Sequence, residues 1–151
     1  MIDLPLIRKT LAGKRVLIDT NIIIYLIDGT PPYATLARQL FVMIEKGEIF
    51  AVFSILSIAE VMNGLIRKGD PRTAGEVRTF LLNFPNVECQ DISPAVLAKI
   101  GNDPRIQWVR LRTVDSLIIA SGLVKGVQRI LSQDAHFRSA ISSELFFSLD
   151  S

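Results

Sequence analysis

Short apolar runs alternate along this chain with longer stretches in which apolar residues return every three or four positions. Arg15-Val16-Leu17-Ile18 reads as a buried strand ending at Asp19. Asn21 to Ile27 reads as a short helix, stopped by Asp28-Gly29 and the Pro31-Pro32 pair. Tyr33 to Lys46 is amphipathic, with Leu36, Leu40, Met43 and Ile44 at helical spacing and Gly47 ending the run. Ile49 to Phe53 is a second strand, and Ser54 or Ser57 caps a helix that reaches about Lys68. Pro71 to Leu82 is another helix and Val87 to Gln90 a weak third strand. Ser93-Pro94 opens a helix that Asp103-Pro104 breaks, and Thr113 to Val124 is helical and largely apolar. Gln128 to Leu131 makes a fourth strand, Asp134 to Ala140 a short helix and Leu145 to Leu149 a fifth strand. Residues 1–14 precede this pattern and receive no element from it.

Strands alternating with helices predict an α/β fold, a parallel sheet with helices on both faces. In open sheets of this kind, ligands bind beyond the C-terminal ends of the strands. The 151 residues fit one domain, residues 1–151 with a core over about 15–149, and they contain no repeat or linker. Apolar residues make up 49% of the chain and mean hydropathy is +0.36, a high value that fits either a large core or an interface. The apolar stretch from Ile49 to Val61 falls short of the ~18–20 residues a membrane span needs, and Ser54, Ser57 and Glu60 interrupt it. The N-terminus lacks a signal-peptide pattern, so the expected location is the cytoplasm, away from membranes. Cys89 stands alone, which excludes an intrachain disulfide or a zinc cluster and leaves it a small core residue. A net charge of +2 permits an anionic partner without demonstrating one.

Four acids fall where the predicted topology places chemistry. Asp19 follows the first strand and Asp134 the fourth, Asp115 opens the helix before strand four, and Glu60 lies in the helix after strand two. Converging carboxylates repel one another, and a hard divalent cation relieves that repulsion, so the cluster reads as a site for Mg²⁺ or Mn²⁺. Such an ion suits hydrolysis of a phosphodiester. Each residue also has a local reading. Asp19, Asp115 and Asp134 sit at helix N-cap positions. Glu60 joins Ser57, Asn63, Gly64 and Arg67 in a polar stripe opposite Ile55, Ile58, Val61, Met62 and Leu65. The four together carry the functional reading.

Four motifs then occur in order. They are Val16-Leu17-Ile18-Asp19-Thr20-Asn21; Ser57-Ile58-Ala59-Glu60-Val61; Leu111-Arg112-Thr113-Val114-Asp115 with the apolar run to Ala120; and Ile130-Leu131-Ser132-Gln133-Asp134-Ala135-His136-Phe137. The chain in this respect resembles a PIN domain of the VapC type, the toxin half of a bacterial or archaeal toxin–antitoxin pair. The resemblance runs from about Arg15 to Leu149. Val114 stands where many relatives have Pro, and Ser57 where Thr is frequent. The resemblance implies a five-stranded parallel sheet and a metal-dependent endoribonuclease. It makes Asp19 and Asp115 direct metal contacts. Glu60 then binds metal through water or positions the attacking water, and Asp134 completes the second side. Thr20, Asn21 and Ser132 support the carboxylates or contact phosphate, and Arg112 belongs to the third motif. It further implies RNA as substrate, a VapB-like antitoxin as partner and a homodimer, with residues 21–46 and 55–68 as candidate surfaces.

Weaker signals surround these. Arg105, Trp108, Arg110 and Arg112 suit either a nucleic-acid surface or a half-buried Trp among solvated arginines. His136 reads as an ordinary surface or semi-buried histidine. A haloacid-dehalogenase-type phosphatase needs a second Asp where Asn21 stands, and a response-regulator receiver needs paired acids and a late Lys that this chain lacks. Two alternatives stay open: a PIN-like module that binds RNA or protein without catalysis, and an RNA-processing PIN nuclease outside any toxin–antitoxin pair.

Overall fold

The computed structural model describes residues 1–150. Its sheet has five strands, all parallel: β1 (Arg15–Ile18), β2 (Phe50–Ser54), β3 (Val87–Gln90), β4 (Arg129–Leu131) and β5 (Phe146–Phe147). They lie in the order β3-β2-β1-β4-β5. The α-helices among the described residues are α1 (Leu4–Leu11), α2 (Thr20–Asp28), α3 (Ala34–Glu45), α4 (Ile55–Arg67), α5 (Pro71–Leu82), α6 (Pro94–Lys99), α7 (Thr113–Val124) and α8 (Ala135–Ala140). A 3₁₀ turn covers Trp108–Arg110.

The pleat divides the strand residues between two cores. Val16 and Ile18 of β1, Ala51 and Phe53 of β2, Leu131 of β4 and Phe147 of β5 face α1 to α5. Leu17, Val52 and Ile130 face the other way, onto Ile118, Ile119 and Leu123 of α7 and Phe137 of α8. Both faces of β1, β2 and β4 are covered, which is why those strands read as apolar runs, whereas the edge strand β3 is only partly buried and reads weakly. β1 is the central strand, and the chain leaves it first toward β2 and β3, later toward β4 and β5. The order reverses between β1 and β4, so the crevice a ligand would use opens past Ile18 and Leu131, which are register partners.

The expected strands and helices are present, with four differences. Residues 1–14, which the apolar pattern did not assign, contain α1, capped by the Asp3 carboxylate on Leu6 N–H and burying Ile7 and Leu11. α6 ends at Lys99, ahead of Asp103-Pro104, because Gly101 takes a left-handed φ of +85°. The last strand shortens to Phe146–Phe147. In α4, Asn63, Gly64 and Arg67 face out as expected, but Ser57 is fully buried and Ile55 is 37% exposed. The turn nearest β2 is enclosed by α7 as well as by the sheet, so its inward face is wider than a single apolar stripe. Cys89 on β3 is half-buried and packs against the first core, and burial raises its thiol pKa.

Gly122 fixes how closely α7 lies on β1. A Cβ there would meet Leu17 Cδ2 at 2.9 Å and Val127 Cγ2 at 3.1 Å. Gly122→Ala should therefore destabilise the protein by roughly 1–3 kcal/mol, although alanine is the better helix former. Gly64→Ala in α4 meets nothing within 4 Å and should stabilise by up to about 1 kcal/mol. Urea unfolding of the two variants beside wild type checks both signs.

Candidate active site

Asp19 stands one residue past β1, at the N-cap of α2, and is 5% exposed. Its carboxylate accepts the Thr20 backbone N–H at 2.8 Å and the Ser132 hydroxyl at 2.6 Å. Ser132, fully buried past β4, also accepts the Asp134 N–H on its Oγ at 3.0 Å. One hydroxyl thus joins the two acids that end the neighbouring strands. Asp134 caps α8, its Oδ1 accepting the N–H groups of His136 (2.7 Å) and Phe137 (3.2 Å). Asn21 Oδ1 accepts the Gln133 N–H at 3.3 Å, a second tie between the segments that follow β1 and β4.

The other two acids arrive on helices. Glu60, in the second turn of α4, accepts the Thr20 hydroxyl at 2.8 Å on Oε1. Asp115 is buried in the first turn of α7, where Arg112 is the N-cap residue. The cap reading therefore holds for Asp19 and Asp134 but not for Asp115. Asp115 is held by Arg112, whose Nε donates to Oδ2 at 3.1 Å and Nη2 to Oδ1 at 3.4 Å.

The charges of these groups are felt across the crevice. Burial pushes Asp19 up to about 6, the neighbouring Asp134 and Glu60 add to the rise, and the bonds from Ser132 and Thr20 oppose it. Arg112 is held charged by its hydrogen bond to Asp115, and the Asp115, Asp134 and Glu60 charges reinforce it. So Glu60 and Asp134 both act on Asp19, and Arg112 ties Asp115 to the same group. Thr20, Asn21 and Ser132 are hydrogen-bonded into it as well. Among the described residues, no three acidic, histidine or cysteine side chains close on a point as a finished metal cage. The donor set nevertheless fits a hard divalent cation. Every donor is a carboxylate oxygen, the buried Asp19 is flanked by two like charges, and a guanidinium already supplies positive charge to the cluster.

The remaining sequence candidates separate by their partners. Arg105 bonds to both oxygens of Asp103, and Trp108 Nε1 donates to the Asp103 carbonyl at 3.2 Å, so these two brace their own loop. Arg110 and His136 are exposed. Sequence reasoning missed Gln133, whose amide donates to Asp150 and accepts Leu149 N–H, anchoring the chain behind Ser132. It also missed a groove of about 460 Å³ beside Glu60, walled by Leu56, Ala59, Met62, Ile66 and Val114 with Asn63 on its rim. Ile66 (49% exposed) and Val114 (42%) are apolar residues outside either core, and in the sequence they are indistinguishable from core positions.

Comparison with known proteins agrees with this architecture. Among curated proteins no sequence matches the chain. Solved structures do match. The VapBC2 complex of Rickettsia felis bound to a promoter DNA fragment superposes with a TM-score of 0.66 at 15% identity, covering 89% of this chain and 98% of that one. VapC20 of Mycobacterium tuberculosis, described as a toxin that cleaves the sarcin–ricin loop, gives 0.60 at 16% identity over 82% and 93% of the two chains. A toxin–antitoxin complex from Klebsiella pneumoniae gives 0.57 at 21% identity over 81% and 89%. At these identities the likeness is one of fold. The sequence model described as the PIN domain matches residues 16–141, from the central strand to the end of α8. This chain belongs to the PIN domain family.

Proposed function

We propose that this protein is a divalent-metal-dependent endoribonuclease that acts as the toxin of a VapBC-type toxin–antitoxin pair. The observation that carries the reading is the buried Asp19 carboxylate at the sheet's switch point, held by Ser132 and raised in pKa beside Asp134 and Glu60. Asp19 and Asp115 are the residues proposed to hold Mg²⁺ or Mn²⁺, with Glu60 and Asp134 completing the acidic set. When bound, such an ion would activate water and draw negative charge off the phosphate. The chain's own contribution is positional. Ser132 and the Thr20 N–H keep both Asp19 oxygens in fixed directions, the Thr20 hydroxyl aims Glu60, and Asn21 ties the two strand ends together. A hydroxyl and main-chain amides that bond the ionised form keep a buried carboxylate available as a ligand.

The VapBC neighbours support an antitoxin partner for this chain. The apolar groove beside Glu60 is the proposed seat, and a smaller hollow of about 240 Å³ between α2 and α4, lined by Ile24, Ile27, Val61 and Leu65, lies on the other face of α4. Phe80 (46% exposed), edge-on to Phe84, and Leu82 (49%) offer a separate apolar surface for the expected homodimer. No helix among the described residues is long and apolar enough to cross a membrane.

Purified protein free of antitoxin should cleave labelled RNA with Mg²⁺ or Mn²⁺, and EDTA should abolish cleavage. Asp19→Asn and Asp115→Asn should remain folded and fall to background, and Ser132→Ala should lose about 10–100-fold. Metal-independent cleavage, or wild-type rates from both Asp variants, would remove the acidic set from catalysis and leave an RNA- or protein-binding role.

Asp19 also makes stability depend on pH. Its pKa is raised on folding, from 3.8 to about 6. Its folded-state contribution is therefore fully present below about pH 4 and is lost as pH rises through about 6. Without metal, Asp19→Asn should be the more stable protein at pH 8, by up to about 3 kcal/mol. The difference should shrink toward pH 4. Thermal unfolding across that range in EDTA measures it, and a wild type more stable than the variant at pH 8 contradicts the assigned cause.

A further inference from the structure

We propose that Arg112 is a resident counter-ion of the acidic centre, which holds Asp115 until a divalent cation takes its place. This rests on the metal-site reading above. The four acids are held in two different ways. Asp19 and Asp134 accept backbone N–H groups, which cannot leave without unfolding α2 or α8. Asp115 has only Arg112 as a hydrogen-bond donor among the described residues, and the guanidinium covers both carboxylate oxygens in a fork. Those are the oxygens a metal would need.

The two partners differ sharply in exposure, with the Arg112 side chain 76% exposed and that of Asp115 only 6%. An uncompensated carboxylate at that burial is costly, so the pair settles the site when it holds no other cation. Yet Arg112 can let go without disturbing the helix. Its carbonyl stays bonded to Ser116 N–H at 3.0 Å, which fixes the first turn of α7 through the backbone alone. The guanidinium also feels Asp134 and Glu60, so it belongs to the mouth of the centre and is more than a local pair on one helix. A divalent cation entering beside Asp115 would repel it. The freed fork, still tethered at the rim, suits a phosphate oxygen of a bound RNA strand. Metal and RNA phosphate should then favour each other's binding, because each stabilises the state in which Arg112 has left Asp115.

Mn²⁺ titration of the full-length protein, read by the EPR signal of free Mn²⁺, tests this without reference to activity. Arg112→Ala should bind Mn²⁺ roughly tenfold tighter than wild type or better, and Arg112→Lys, which lacks the fork, should fall between. Arg112→Gln leaves a neutral donor over Asp115 and should also tighten binding, which covers the case in which the alanine variant does not fold. Arg110→Ala, two residues away and outside the pair, should stay within about twofold of wild type, because its charge is exposed and screened. The melting temperature should agree: Arg112→Ala should melt lower than wild type in EDTA and gain more from Mn²⁺. Unchanged or weaker Mn²⁺ binding by Arg112→Ala and Arg112→Gln overturns the proposal. If wild type then still binds Mn²⁺ and Asp115→Asn does not, the metal-site reading stands by itself. If neither wild type nor any Arg112 variant binds Mn²⁺, both fall together.

Discussion

The structure is organised around one unfavourable act, the burial of the Asp19 carboxylate at the tip of the central strand. Removing an ionised carboxylate from water carries a large penalty unless it is paired or hydrogen-bonded. Ser132 and the Thr20 N–H reduce that penalty, and the rise of Asp19 to about 6 shows that they do not cancel it. The residual cost sits at the point where the sheet order reverses and the crevice between β1 and β4 opens. A fold that tolerates this has its core elsewhere, in the two apolar layers on either side of the strands. Stability and chemistry are thus separated along β1 and β4, whose buried residues are apolar and whose acids, Asp19 and Asp134, stand beyond their ends.

The acidic centre has a stiff half and an adjustable half. Asp19 and Asp134 belong to the strand ends and are fixed by main-chain groups and by Ser132 between them. Glu60 and Asp115 are carried by α4 and α7, and their partners are side chains, Thr20 and Arg112. Rigid strand ends can hold a position closely, whereas helix-borne groups with side-chain partners can rearrange as charge enters. The apolar groove walled by α4 and by Val114 lies against the adjustable half, where a bound partner would reach both helices at once.

Much of this was legible in the sequence because β1, β2 and β4 are buried on both faces and lie between Gly, Pro, Asp or Ser positions, which leaves little ambiguity about where they end. Asp19 and Asp134 could be placed directly from that, since each follows a strand. The convergence of Glu60 and Asp115 could not, because it depends on how α4 and α7 pack, and only the ordered motifs pointed to it. The Arg112–Asp115 contact has the spacing of an ordinary surface pair on a helix and gave no separate signal. α1 carried a cap and a proline at Asp3 and Pro5, but eight residues are too few for a period to stand out. Ser57 misled for a different reason. Its hydroxyl is enclosed with no hydrogen-bond partner among the described residues, against the rule that polar positions on a helix face water.

The bridge from Asp19 through Ser132 to Asp134 has a consequence for how the chain finds its pairing. A slip of β4 against β1 by one residue would turn its apolar side chains to the wrong faces and be rejected by the core. A slip by two would put Gln128 and Arg129, or Ser132 and Gln133, into the core places of Ile130 and Leu131. It would also carry Ser132 about 7 Å away from Asp19, leaving a buried carboxylate without its hydroxyl. The core and the polar bridge therefore select the same alignment, and the contact that shapes the crevice is a second check on a register the apolar layers already set.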